Sequence, residues 1–109
     1  MVNPDLLKYL FDVMEAVRNL ESFTSGLTLK DIEKIEMKWA IERGISIIGE
    51  AKYKAEKLEK NLKVSNLKNI ISMRHIVVHN YDMIESELLY IIIKKYLPIL
   101  KNEIQKYLE

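Results

Sequence analysis

Apolar residues recur along this chain at steps of three and four, and polar residues fill the intervals. Leu6, Leu10, Met14, Val17 and Leu20 form the first such stripe. That spacing places one apolar face on an α-helix. Asn3-Pro4 supplies an N-cap followed by proline at the first helical position, and Phe23-Thr24-Ser25-Gly26 ends the pattern. A second start falls at Thr28-Leu29-Lys30-Asp31, where Thr28 caps and Asp31 suits the first turn. Ile32, Ile35, Trp39, Ile45, Ile48 and Ala51 or Lys52 are read as one continuing stripe. The spacing thus predicts a long second helix reaching roughly Lys57 to Lys60, with Gly44 and Gly49 as its weak points.

The polar run Lys60-Asn61-Leu62-Lys63-Val64-Ser65-Asn66 reads as a connection. Leu67, Ile70, Ile71 and Arg74 open a third helix, whose pattern breaks near Asn80-Tyr81-Asp82. A fourth helix is predicted from about Glu85, with Leu88, Leu89, Ile92, Ile93 and Tyr96 on its apolar side. It continues past Pro98 through Leu100, Ile104 and Leu108. Pro98 should kink or divide it, because proline cannot donate to the preceding turn. No segment alternates convincingly as a strand. The expected fold is all-α: a single domain over residues 1–109, built as an antiparallel up-and-down bundle of four to five helices. Helices two and four carry more apolar residues than one face needs, and a homodimer would bury the surplus.

Composition narrows the function classes. A chain of 109 residues with 49% hydrophobic and 30% charged residues, 3 Gly and 2 Pro suits a small helical core and argues against disorder. The net charge of +1 gives no general field for nucleic acid, so RNA binding has to come from a local patch or a groove shared by two chains. With no Cys, disulfides and thiolate chemistry are excluded, which fits a cytoplasmic location. Neither a signal peptide nor a membrane-spanning helix is expected, since no apolar run approaches about 18 residues.

The candidate chemistry concentrates in Met73-Arg74-His75-Ile76-Val77-Val78-His79-Asn80-Tyr81-Asp82. Arginine occurs only as Arg18, Arg43 and Arg74, and both histidines of the chain fall in this window. Arg74, His79 and Tyr81 stand in the order Arg-x4-His-x-Tyr: a permanent planar cation, a group that titrates near neutrality and a phenol. On a regular helix Arg74 and His79 would point about 140° apart, so the helix has to end or bend near His79 for both to reach one phosphate. Each residue also has a plainer use. Arg74 could anchor a carboxylate, His79 could be a core histidine bonded to a carbonyl, and Tyr81 could simply pack its ring. Their conjunction favours a site. His75 and His79 share the i, i+4 spacing of some zinc ligands, with Asp82 and Glu85 as further donors, but neither a Cys nor a Glu beside His75 completes such a set, and no metal is expected. Glu50 is a lone acid on a long helix, ordinarily half of an ion pair. Lys52, Lys54, Lys57, Lys60 and Lys63, mixed with Glu56 and Glu59, ordinarily make a solvated face.

The Arg74-His75-x3-His79-Asn80-Tyr81 run resembles the signature of the HEPN superfamily, and its tyrosine resembles the HepT branch, the toxin half of the HepT–MntA toxin–antitoxin pairs. Ile47-Ile48-Gly49-Glu50-Ala51 resembles that branch's central Ile-Gly-Glu-Ala segment, and Tyr96-Leu97-Pro98-Ile99-Leu100 its C-terminal Leu-Pro-x-Leu. The resemblance spans roughly residues 30 to 105. It departs at His75, where Asn is commoner, and at Arg43-Gly44. It implies a dimeric HEPN-like bundle with two motifs around a shared cleft and metal-independent endoribonuclease activity without a cofactor. Arg74 and His79 would be the catalytic pair, with His75 and Asn80 supporting them. Tyr81 would be the residue that a minimal nucleotidyltransferase antitoxin adenylylates. The alternative is a non-catalytic HEPN module that binds nucleotides or scaffolds a nucleotidyltransferase.

Overall fold

A computed structural model describes residues 3–62 and 82–108, and the regular structure in both stretches is helical. Five α-helices are described: α1 (Pro4–Thr24), α2 (Leu29–Ile32), α3 (Ile35–Leu58), α4 (Asp82–Ile91) and α5 (Leu97–Leu108). A π-helical turn, Ile92–Tyr96, joins the last two.

The first helix forms as its pattern predicts. Asn3 Oδ1 accepts from the Asp5 N–H at 2.8 Å, Pro4 occupies the first turn, and Leu6, Leu10, Met14, Val17 and Leu20 are all buried. At the far end the Thr24 hydroxyl donates to the Leu20 carbonyl at 2.7 Å. Gly26 then turns the chain at φ 75°, a left-handed conformation that glycine adopts without a Cβ penalty.

The second predicted helix is two helices. Thr28 and Asp31 make a reciprocal capping box: the Thr28 N–H donates to Asp31 Oδ2 at 3.0 Å, and the Asp31 N–H donates to Thr28 Oγ1 at 3.4 Å. The Thr28 backbone N–H, then its hydroxyl, hold the Asp31 carboxyl below its ordinary range. The turn stops at Glu33-Lys34, and α3 starts after Lys34, whose backbone is extended at ψ 135°. A continuous helix would carry Ile32 to the side occupied by Trp39, about 180° from Ile41. The break lets Ile32 and Ile41 both be fully buried. The predicted stripe is corrected in the same way: Ile35 and Trp39 are exposed, and the inner face of α3 is Lys38, Ile41, Ile45, Ile48, Ala51, Lys52 and Ala55.

Helix α3 runs through both glycines without interruption. A Cβ at Gly44 would meet the Leu20 side chain at 2.6 Å, so this glycine sets how closely α1 and α3 approach. Leu20 lies beside Gly44, and Tyr9 beneath the Lys54 ammonium, so the two helices run antiparallel. Helix α5 also packs on α1, where Lys101 and Glu21 pair at 3.0 Å, while α2 and α3 both contact α4.

The last helix is bent next to Pro98, as expected. Pro98 has no N–H for the Lys94 carbonyl, and its ring would crowd that carbonyl in a regular turn. The chain widens instead, and the Leu97 N–H bonds the Ile92 carbonyl across a π turn. Ile92, Ile93, Leu97, Leu100 and Ile104 remain buried through the irregularity.

Candidate functional site

Arg74, His75, His79, Asn80 and Tyr81 lie outside the described residues, as does the predicted third helix. The His75–His79 pair considered for metal is outside them too. Among the described residues no three His, Cys, Asp or Glu side chains gather in a way that could hold an ion. The described structure borders the motif in sequence on its C-terminal side, where α4 begins at Asp82, directly after Tyr81. It therefore leaves the meeting of Arg74 and His79 an expectation of the sequence pattern.

The other polar features singled out by the sequence are described. Glu50 is exposed and pairs with Lys54 one helical turn on, at 3.6 Å, the ordinary use anticipated for it. Both line an open groove of about 270 Å³ between α1 and α3, together with Tyr9, Asp12 and Glu15. Three carboxylates against one ammonium make this groove a poor seat for a phosphate chain. Lys63 lies outside the described residues, and the four described lysines of the trail do not share one solvated face. Lys54, Lys57 and Lys60 are exposed, but Lys52 is buried on the inner face and pairs with Glu56. Lys57 lies over the Tyr53 ring, 4.6 Å from its centroid. The burial of Lys52 was visible in its position beside Ala51 at core spacing; its charge argued the other way.

Among the described residues, no helix is long and apolar enough to cross a membrane. Among the described residues the regular structure is all helical, with the Ile-Gly-Glu-Ala segment on α3 and the Leu-Pro step at the bend of the last helix. A family model described as "Ribonuclease HepT-like" matches residues 13–107, and the chain belongs to that family, within the HEPN superfamily.

Its relatives include three proteins of Methanocaldococcus jannaschii. "Putative RNase MJ1380" is 27% identical over 107 residues, which cover 96% of this chain and 98% of that protein. "Putative RNase MJ1216" is 24% identical over 114 residues, covering 100% and 92%. "Gamma-glutamylcyclotransferase and putative RNase MJ0434" is 32% identical over 108 residues, covering 96% of this chain and 48% of that longer protein. No solved structure matches the chain.

Proposed function

We propose that this protein is a metal-independent endoribonuclease, the toxin of a toxin–antitoxin pair, acting in the cytoplasm as a homodimer. The observation that carries this reading is the match to the HepT-like ribonuclease family over residues 13–107, a span that contains the whole Arg74-x4-His79-x-Tyr81 run.

The chemistry asked of these residues is modest, because RNA brings its own nucleophile. A 2′-hydroxyl attacks the adjacent phosphorus, its proton passes to the His79 imidazole, and the bond from phosphorus to the 5′-oxygen breaks. The departing oxygen takes a proton from a second imidazole. The products are a 2′,3′-cyclic phosphate and a 5′-hydroxyl. A neutral imidazole and an imidazolium are both available near pH 6.5, and two chains supply one of each. Arg74 holds the non-bridging oxygens in a planar fork and offsets the charge that builds as phosphorus becomes five-coordinate. His75 and Asn80 orient the scissile group.

Tyr81 serves as the control point. A cognate nucleotidyltransferase transfers an adenylyl group from ATP to the Tyr81 hydroxyl, which loses its proton as pyrophosphate departs, and the resulting phosphodiester would sit beside Arg74 in the place of substrate phosphate. Neutralisation is then both covalent and electrostatic.

The test is cleavage of total RNA by purified protein in the presence of a chelator. The wild type cuts and His79→Ala does not. Equal cleavage by both would assign the activity to a contaminant and overturn the reading. Intact-mass analysis after coexpression with the nucleotidyltransferase tests the second claim. The expected result is an adenylyl adduct on wild type that is absent from Tyr81→Phe; suppression of toxicity without any adduct contradicts it.

A further inference from the structure

The net charge of +1 conceals an uneven distribution. Residues 1–59 carry nine Lys or Arg and eleven Asp or Glu, whereas residues 60–109 carry eight and five. No acidic residue occurs between Glu59 and Asp82, and none between Glu87 and Glu103. A cationic half on an otherwise balanced chain points to an anionic partner.

Within that half the π turn presents a compact cationic surface. Lys94 and Lys95 are both exposed. The Lys94 ammonium lies 5.6 Å from the centre of the Tyr90 ring, and the Lys95 ammonium 5.4 Å from that of Tyr96. Each ring holds its ammonium close to the helix without neutralising it, so less side-chain freedom is lost when an anion binds. Among the described residues neither lysine pairs with a carboxylate, whereas Lys101 on the next turn pairs with Glu21.

The molecule contains its own comparison at Tyr9. Lys8 and Lys54 stand over that ring at 5.8 and 5.7 Å, the same lysine–tyrosine chemistry. There Asp12, Glu15 and Glu50 line the groove beside the ring, and Glu50 pairs with Lys54. Two similar clusters therefore sit in opposite fields, and only the one on the π turn suits a phosphate chain. Residues 63–81 bring no carboxylate to that surface, because they contain none.

We propose that Lys94 and Lys95, positioned by Tyr90 and Tyr96, form a second contact for the RNA strand, on phosphates outside the scissile step. The proposal rests on the ribonuclease reading for its ligand and adds a place where that ligand is held. Lys94 stands about 18 Å along the helix from Asp82, at a rise of about 1.5 Å per residue. That length matches about five nucleotides of a stacked strand, so the contact serves a strand rather than the reacting dinucleotide.

The test measures binding without cleavage. An RNA of about 20 nucleotides, 2′-O-methylated throughout so that it has no free nucleophile, is titrated by fluorescence anisotropy across a range of salt concentrations. Replacing both Lys94→Gln and Lys95→Gln should weaken binding about tenfold at low salt. It should also flatten the slope of log affinity against log salt by about 1.4, the value for two lost phosphate contacts on a single strand. Arginine at both positions should keep affinity and slope. Lys8→Gln with Lys54→Gln removes the same charge from the Tyr9 cluster and should change affinity less than about twofold. Equal losses from the two glutamine pairs would assign binding to net charge alone and overturn the proposal. So would an unchanged slope in the Lys94 and Lys95 variant, or a wild type that binds no RNA at low salt. A protein that binds here yet never cuts RNA would overturn the ribonuclease reading and leave this contact standing; one that cuts RNA but shows equal losses would do the reverse.

Discussion

The two faces of α3 share one backbone and follow opposite rules. The inner face buries Ile41, Ile45 and Ile48 against its neighbours and also takes in Lys38 and Lys52. The outer face leaves Trp39 and Tyr53 in water beside an ordered row of charges. Residue polarity alone would have sorted these positions differently. Helical phase decides them: Lys52 falls on the side that packs, where its ammonium pairs with Glu56, whereas Trp39 falls about 160° from Ile41. Burial on α3 is thus a property of position first and of chemistry second.

Four substitutions sharpen that contrast, in decreasing order of effect on stability. Ile48→Ala, at a fully buried site, should cost about 2–5 kcal/mol and lower the thermal midpoint most. Gly44→Ala should cost about 1–2 kcal/mol: the added methyl presses on Leu20, which is fully buried and cannot swing into solvent, and the better helix propensity of alanine offsets only part of that. Lys52→Met keeps the volume of the side chain and removes the buried charge, so denaturant unfolding should stay within about 1 kcal/mol of wild type. Trp39→Ala, at an exposed site, should change the stability by less than about 0.5 kcal/mol. If Trp39→Ala proved as damaging to the fold as Ile48→Ala, the two faces would not differ in the way described.

The capping box at Thr28–Asp31 adds a pH signature. Its carboxyl is held below the ordinary range by hydrogen bonds made only in the folded chain. Its contribution is therefore fully present above the unfolded value near 3.8 and is lost as pH falls through the lower folded value. Helicity followed below pH 4 in wild type and Asp31→Asn checks this: the wild type should lose stability more steeply there than the variant.

Legibility in the sequence followed the physical clarity of each signal. Helix α1 was readable end to end because Asn3, Pro4, an unbroken apolar stripe and Gly26 all agree. The break before α3 was not, because Ile32 and Ile35 mimic a regular step and the helix begins without a side-chain cap on Lys34. That error carried Ile35 and Trp39 onto the wrong face and hid Ile41. Pro98 announced a bend, since a missing donor is visible in sequence; the π turn that absorbs it depends on neighbouring packing, which is not. The Arg74, His79 and Tyr81 run was legible as a motif, because rare residue types at fixed spacing stand out against a lysine-rich background. Its family assignment is supported by the match over residues 13–107, while its geometry lies outside the described residues.

In the proposed reaction Arg74 and His79 together act on a single phosphate through the ribose hydroxyl. Its most direct test is the chemistry of the cut ends, read by mass spectrometry on a short RNA treated with wild type, Arg74→Ala or His79→Ala in a chelator. The wild type should leave 2′,3′-cyclic phosphate and 5′-hydroxyl ends, and both variants should be slowed by at least about a hundredfold. Ends bearing a 3′-hydroxyl and a 5′-phosphate, or undiminished cutting by either variant, would contradict it.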